Sequence, residues 1–162
     1  MKTLILLRHA KSSWEYAVAD RNRPLKEKGI RRIQAMASVS REVFGSIPHF
    51  YSSPGNRALH TATILLHELN LPLEQLQIKE VLYTFDTQAL LDFIQALPND
   101  QNEVCLVGHN PALTMVAAKL SNNFTQHLPT AAWVKIIFVQ QKWSSIADGT
   151  ASWGLPQQLL VK

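Results

Sequence analysis

Three short runs, separated by longer amphipathic segments, restrict the folds that this chain can adopt. The runs are Thr3–Leu7, His49–Ser53 and Glu103–Gly108. Continuous apolar runs of this length are typical of strands at the centre of a parallel sheet, because helices cover both faces of such a sheet. The segments between the runs repeat apolar residues at helical spacing. Strand and helix therefore alternate along the chain, which predicts an α/β fold.

The intervening segments and the C-terminal third supply the other predicted elements. Helices are predicted over Lys26–Phe44, Arg57–Leu69, Thr87–Leu97 and Ala112–Leu120. Further strands are predicted over Gln75–Val81 and, toward a sheet edge, over Ala132–Val139 and Lys142–Ile146. The chain has 162 residues, of which 46% are hydrophobic and 17% charged. We therefore expect a single domain over residues 1–162, a three-layer α/β/α sandwich around a mainly parallel central sheet.

The cysteine count and the first residues bear on the cellular compartment. A single cysteine, Cys105, excludes an internal disulfide and a zinc site built on cysteine pairs. It lies in the middle of a predicted strand, so we expect a small core residue rather than a nucleophile. The apolar run Leu4–Leu7 is too short for a signal peptide or a membrane span. We expect a cytoplasmic protein that does not bind membranes.

Positive charge is concentrated in the first quarter of the chain. The formal net charge is +4, but residues 1–41 carry ten basic and three acidic side chains, whereas residues 42–162 carry six and nine. This imbalance predicts a face or pocket for an anion, such as phosphate, nucleic acid or an acidic lipid. Part of the excess is expected to form only a solvated helix face, namely Arg21, Arg23, Lys26, Lys28, Arg31 and Arg32.

Two arginines and two histidines follow the three central strands. Arg8 and His9 come at the end of the first, Arg57 follows the second, and His109 follows the third. Ligands of open α/β sheets bind beyond the carboxyl ends of the strands, so we expect these side chains to converge. A pocket of nitrogen donors suits a dianionic phosphoryl group and suits a metal ion poorly. No metal or other cofactor is therefore expected.

A histidine in such a pocket can act as a nucleophile. Neutral imidazole has one bare nitrogen that can attack phosphorus in line when its other N–H group is held by an acceptor. Neighbouring arginine charges favour this neutral form. The product would be a phosphohistidine, with its oxygens stabilised by the arginines and by a protonated second histidine.

Four motifs in order along the chain carry a family resemblance. They are Arg8-His9-Ala10, Arg23–Gly29, Ser52–Ala62 and Val107–Pro111. They resemble the first-strand triplet, the approach to the first helix, the second-arginine motif and the second-histidine motif of the histidine phosphatase superfamily, which has a phosphoglycerate mutase-like fold. The short chain and its opening Leu7–Trp14 are similar to SixA-type phosphohistidine phosphatases within that superfamily.

The resemblance implies a role for each of the strand-end residues. It makes His9 the nucleophile, Arg8 and Arg57 the phosphate clamp, and His109 the group that stabilises the oxyanion. Ala10 stands where the superfamily usually has Gly. The implied activity is that of a phosphatase with a phosphohistidine intermediate, and the implied substrate is a phosphorylated protein.

Several further residues are candidates for the same site. Glu80 occupies a place comparable to the proton donor of mutase-like members, and Asp86 is a weaker candidate for that role. Ser12, Lys11 and Asn110 are candidates for substrate binding because they adjoin the proposed catalytic histidines. The remaining histidines lack a supporting constellation and are expected at the surface or in structural roles: His49, His60, His67 and His127.

Two other functions fit the same residues. The pocket can serve a small phosphate ester or anhydride instead of a phosphoprotein. A non-catalytic module that holds a phosphorylated ligand is the alternative outside enzymology, although the presence of both histidines beside both arginines argues against a degenerate site. No nucleic-acid motif is present, so nucleic acid is not an expected partner.

Overall fold

The computed structural model describes residues 1–160. A six-stranded sheet forms its centre, with the strand order β3-β2-β4-β1-β5-β6. The first four strands in this order are parallel, and β5 and β6 run antiparallel to their neighbours. The strands are β1 (Lys2–Arg8), β2 (His49–Ser52), β3 (Leu76–Ile78), β4 (Glu103–Gly108), β5 (Trp133–Phe138) and β6 (Thr150–Gly154).

Two apolar cores, one on each face of the sheet, account for the continuous apolar runs of the sequence. In β1, Leu4 and Leu6 belong to one core, while Ile5 and Leu7 belong to the other. All four side chains are fully buried. Because successive side chains of a strand point to opposite faces, a strand covered on both sides must be apolar throughout. The predicted three-layer sandwich around a mainly parallel sheet is thus confirmed.

In the described residues, the helices are α1 (Glu27–Val39), α2 (Arg41–Phe44), α3 (Asn56–Glu68), α4 (Thr87–Gln95), α5 (Ala112–Leu120) and α6 (Pro156–Leu159). The predicted helix Lys26–Phe44 is interrupted at Ser40, whose backbone leaves the helical conformation. The Ser40 hydroxyl accepts a hydrogen bond of 2.8 Å from the Trp133 indole of β5, which fixes the break. Within residues 1–160, no helix is sufficiently long and apolar to span a membrane.

The prediction of a late strand over Lys142–Ile146 is wrong. This segment contains a short 3₁₀ turn, Trp143–Ser145, and the sheet edge is formed instead by β6. The Trp143 ring is fully buried, and its indole N–H donates to the carbonyl of Gln101 at 2.8 Å. Burial of one large ring therefore overrides the strand-like composition of the segment. The predicted strand Gln75–Val81 is shorter than expected, because a second 3₁₀ turn, Glu80–Leu82, follows β3.

The register of the parallel strands brings their carboxyl ends to one edge. Arg8 at the end of β1 lies opposite Gly108 at the end of β4, and Ser52 at the end of β2 lies opposite Val107. The residues that follow these three strands therefore meet above this edge.

Candidate active site

A pocket of about 370 Å³ lies above the carboxyl ends of β1, β2 and β4. The four strand-end residues of the sequence prediction, Arg8, His9, Arg57 and His109, all line it. So do Lys11, Ser12 and Asn110, the candidates for substrate binding. The other lining residues are Trp14, Asp20, Arg23, Lys26, Phe85 and Thr130.

His9 is held as a neutral imidazole with one bare nitrogen. Its Nδ1 lies 2.7 Å from the carbonyl oxygen of Ala10, which can only accept, so Nδ1 carries the proton. Its Nε2 therefore carries a lone pair and no proton, and this nitrogen accepts a hydrogen bond of 3.3 Å from Arg57 Nε. Burial lowers the pKa of His9 to about 3, and the charges of Arg57 and Arg8 act in the same direction. His9 Nε2 is thus an unprotonated nitrogen in a cationic pocket.

The turn after His9 is fixed to α3 through one hydroxyl. The backbone N–H of Ala10 donates to Thr61 Oγ1 at 2.9 Å, and Thr61 donates to the carbonyl of Arg57 at 2.7 Å. Ala10 and Thr61 are fully buried. The methyl group of Ala10 is accommodated here, and the contact fixes the distance between the turn after His9 and the first turn of α3.

His109 is packed between His9 and an aromatic wall. The centre of its ring lies 5.4 Å from those of His9 and Tyr83 and 5.5 Å from that of Phe85. Its Nε2 shares a hydrogen bond of 2.8 Å with the buried hydroxyl of Ser53. Burial, followed by the charge of Arg57, lowers the pKa of His109 to about 4. Both pocket histidines are therefore neutral near pH 7.

Two nitrogen atoms of the lining side chains are buried without a hydrogen-bond partner among residues 1–160. They are His109 Nδ1 and Arg8 Nε. Buried polar atoms are almost always satisfied, so each exception calls for an explanation, and a bound ion or catalytic role is one. Arg8 itself is held by a hydrogen bond of 3.2 Å from Nη1 to the carbonyl of Leu128, and burial and the charge of Arg57 lower its pKa.

A third arginine in the pocket was not assigned to the site from the sequence. Arg23 was expected on a solvated helix face, but it is buried and lines the pocket. Its Nε donates to the carbonyl of Ser13 at 3.1 Å, and its Nη2 donates to the hydroxyl of Ser12. Its guanidinium lies 3.3 Å from the centre of the Trp14 ring. The signal for Arg23 in the sequence was its place in one of the four family-like motifs.

Asp20, the second residue that the sequence did not reveal, is a carboxylate inside this cationic pocket. It accepts hydrogen bonds from Arg57 Nη2 at 3.1 Å, from Arg23 Nη1 at 3.1 Å and from the Tyr83 hydroxyl at 2.6 Å. Partial burial acts to raise its pKa, but these donors hold the pKa of Asp20 at about 2. With neutral histidines, the three guanidinium groups and this carboxylate together carry a net charge of +2, and the exposed Lys11 and Lys26 add positive charge at the pocket rim.

The proposed proton donors lie apart from this arrangement. Glu80 is at the surface, where both of its oxygens accept hydrogen bonds from Arg21, and it is not among the lining residues. The hydrogen bonds from Arg21 lower the pKa of Glu80. Asp86 caps α4 by accepting from the backbone N–H of Ala89 at 2.8 Å. Neither carboxyl group is brought next to His9.

The candidates for substrate binding differ in how freely they face the pocket. Lys11 is exposed at its rim. Ser12 is bound by Arg23, as described above. The Asn110 amide donates to the carbonyl of Leu128 at 2.8 Å, and its oxygen accepts from the backbone N–H of Thr114 at 3.0 Å. Asn110 therefore joins the start of α5 to the loop that holds Arg8.

Comparison with known proteins relates the chain to one family. The model of the histidine phosphatase superfamily, branch 1, matches residues 4–81, which include β1, the turn after it, Asp20, Arg23 and Arg57. Over these residues the chain is similar to that superfamily. This match and the solved structures described below indicate a phosphatase, a hydrolase of phosphate compounds. An uncharacterised protein of Mycobacterium tuberculosis is 26% identical over 157 residues, which cover 90% of this chain and 95% of that protein.

Solved structures of other proteins share the fold over nearly the whole of this chain. The protein histidine phosphatase SixA, complexed with tungstate, is 24% identical with a TM-score of 0.82, and the match covers 97% of this chain and 99% of that one. A mycobacterial glucosyl-3-phosphoglycerate phosphatase is 14% identical with a TM-score of 0.66, and the match covers 96% and 98%. One fold thus serves phosphatases whose names indicate a protein substrate and a small-molecule substrate.

Proposed function

We propose that this phosphatase hydrolyses phosphohistidine on a protein, by way of a second phosphohistidine formed at His9. The observation that carries the proposal is the state of His9, whose Nδ1 proton is bound by Ala10 and whose bare Nε2 faces Arg57. A nucleophile for phosphorus needs such an unprotonated nitrogen in a site that neutralises the phosphoryl oxygens.

In the first step, His9 Nε2 attacks phosphorus, and the bond from phosphorus to the substrate imidazole breaks. The phosphoryl group moves to Nε2, and the departing imidazole nitrogen takes up a proton from solvent. Arg8, Arg57 and Arg23 supply fixed positive charge for the three equatorial oxygens. The unpartnered nitrogens Arg8 Nε and His109 Nδ1 are suited to bind phosphoryl oxygens, His109 when it takes up a proton beside the dianion.

In the second step, water attacks phosphorus from the side opposite His9, and the bond from phosphorus to Nε2 breaks. Inorganic phosphate leaves, and the neutral His9 is regenerated with its proton still on Nδ1. The net reaction consumes one water and yields histidine and phosphate. No step requires a metal ion, because the three guanidinium groups carry the charge stabilisation.

The carboxyl chemistry of the pocket favours a substrate in which phosphorus is bonded to nitrogen rather than to oxygen. Among the described residues that line the pocket, Asp20 is the one carboxyl group, and its pKa of about 2 keeps it ionised near neutral pH. An alkoxide leaving group needs a general acid, whereas imidazole departs more readily without one. This chemistry supports phosphohistidine over a phosphate ester.

The test is transfer of labelled phosphoryl from a phosphohistidine peptide to the protein, followed by mapping of the labelled residue. We expect transient label on His9, phosphate release that EDTA does not reduce, and neither label nor release with His9→Ala. The exposed His67 of α3 provides a matched control, because His67→Ala leaves the pocket intact. Label that persists in His9→Ala would refute the mechanism.

A small phosphate ester is the second candidate, supported by the fold shared with the glucosyl-3-phosphoglycerate phosphatase. A metabolite panel measured beside the phosphohistidine peptide separates the two candidates. Higher kcat/KM on an ester would overturn the protein substrate while leaving the role of His9 in place. Binding of phosphate compounds without release of phosphate from any activated substrate would favour a binding module instead.

A further inference from the structure

Asp20 occupies the donors that a phosphoryl group would need. In the guanidinium of Arg57, the Nε–H and one Nη2–H bond lie along the same edge. Nε points to His9 Nε2 at 3.3 Å, and Nη2 points to Asp20 Oδ2 at 3.1 Å. A phosphoryl group that is transferred to His9 Nε2 must lie on this edge. The carboxylate of Asp20 therefore stands where phosphoryl oxygens would be bound.

The same carboxylate also accepts from a second cation of the pocket and from a phenol. Asp20 Oδ1 receives Arg23 Nη1 at 3.1 Å, and Oδ2 receives the Tyr83 hydroxyl at 2.6 Å. An anion with two arginine donors and one hydroxyl donor is bound as a phosphate would be. Asp20 thus acts on the pocket as an internal anion.

Neither arginine depends on this carboxylate for its position. Arg57 Nη1 donates to the backbone carbonyl of Asp20 at 2.8 Å, a bond that survives replacement of the side chain. Arg23 is held by the Ser13 carbonyl, by the Ser12 hydroxyl and by the Trp14 ring. Removal of the Asp20 carboxylate would therefore free donors without releasing the guanidinium groups.

The side chain of Asp20 is also exposed enough to rotate away from the arginines. Its side chain is 43% exposed, whereas the side chain of Arg57 is 4% exposed. Asp20 is the first residue of a short 3₁₀ turn, Asp20–Asn22, in the connection between β1 and α1, and it lines the pocket. Rotation of this side chain toward solvent would open the donors while the buried guanidinium stays in place.

We infer that Asp20 is an internal competitor of the bound phosphoryl group, which weakens the binding of free phosphate and speeds its release. Without this carboxylate, the three guanidinium groups would hold the dianionic product with a charge of +3. The carboxylate returns to Arg57 and Arg23 when phosphate departs, so it replaces the lost hydrogen bonds. The inference rests on the proposed phosphoryl site, and its test measures anion binding rather than turnover.

The experiment is calorimetric titration of inorganic phosphate, and separately of tungstate, into the full chain and its variants. Asp20→Asn keeps the size of the side chain and removes its charge, and Asp20→Ala removes both charge and acceptor. We expect each variant to bind phosphate about tenfold more tightly, the factor that corresponds to one lost hydrogen bond to a charged group. Glu42→Gln on the exposed surface of α2 makes the same change in net charge and should leave the affinity unchanged.

Unchanged or weaker phosphate binding in both Asp20 variants would overturn the inference, because it would show that the carboxylate positions the arginines. Equal tightening in Glu42→Gln would also overturn it, since the effect would then come from net charge alone. Wild-type protein that binds neither anion would refute the phosphoryl site and this inference together. Phosphate binding without turnover would refute only the proposed catalysis.

Discussion

Acid should destabilise the folded protein through its two pocket histidines. Burial, helped by the arginine charges, lowers the pKa of His9 to about 3 and that of His109 to about 4. In the unfolded chain a histidine has a pKa of about 6.5. Between these values the unfolded chain binds protons that the folded chain excludes. The stability is therefore fully present above pH 6.5 and is lost as the pH falls toward 4.

The size of the effect follows from the pKa difference. Between pH 7 and pH 5, each unfolded histidine gains about 2 kcal/mol from proton binding, at about 1.4 kcal/mol per pKa unit. In the folded protein, His9 and His109 gain almost no free energy from proton binding between pH 7 and pH 5, because both of their pKa values lie below pH 5. We expect the free energy of unfolding to fall by about 4 kcal/mol from these two residues together.

Urea unfolding at pH 7 and pH 5, in a buffer without phosphate, measures this fall. The variants His9→Gln and His109→Gln remove one titrating group each, so each should reduce the fall by about 2 kcal/mol. His67→Gln changes an exposed histidine of α3 and is the control. An equal loss of stability in wild type and in the double variant would refute the assignment of neutral histidines, and with it the bare nucleophile at pH 7.

Three further predictions test separate parts of the site. Arg57→Lys should lower kcat/KM about 100-fold on phosphohistidine substrate, because an ammonium cannot supply the paired N–H groups; retained efficiency would contradict its role as a clamp. Gly29→Ala should lower the free energy of unfolding by about 1–3 kcal/mol in urea, because its Cβ would collide with the backbone carbonyl of Lys11; unchanged stability would show that the two segments are not in tight contact. Glu80→Gln should spare phosphohistidine turnover, and comparable losses on phosphohistidine and ester substrates would contradict this.

The sequence predicted the part of the pocket that follows the strands. Arg8, His9, Arg57 and His109 all line it because the carboxyl ends of parallel strands meet at one sheet edge. Apolar runs in the sequence reveal such strands. Once the fold class is known, the residues that follow these strands can be placed at the carboxyl edge of the sheet. This part of the site can therefore be predicted without knowing the conformation of the loops.

The part formed by the loop between β1 and α1 could not be predicted in the same way. Asp20 begins a 3₁₀ turn of only three residues and Arg23 directly follows it, so no periodicity in the sequence reports the direction of either side chain. The loop returns to the pocket through long-range contacts: Lys26 N–H donates to the carbonyl of Lys11 at 2.9 Å, and Gly29 packs directly on the Lys11 backbone. Only the folded structure shows that these contacts turn Arg23 inward.

The way in which the arginines are anchored explains why the pocket retains so much positive charge. Each guanidinium donates to a main-chain carbonyl, that of Leu128 for Arg8, that of Asp20 for Arg57 and that of Ser13 for Arg23. A carbonyl fixes a cation without cancelling its charge, whereas a buried carboxylate would do both. Of the three guanidinium groups, two also contact a carboxylate, and it is the same half-exposed Asp20. Within residues 1–160, main-chain carbonyls thus hold all three cations, and the carboxylate that contacts two of them is half-exposed, which is the basis of our inference that one site both binds a dianion and releases it.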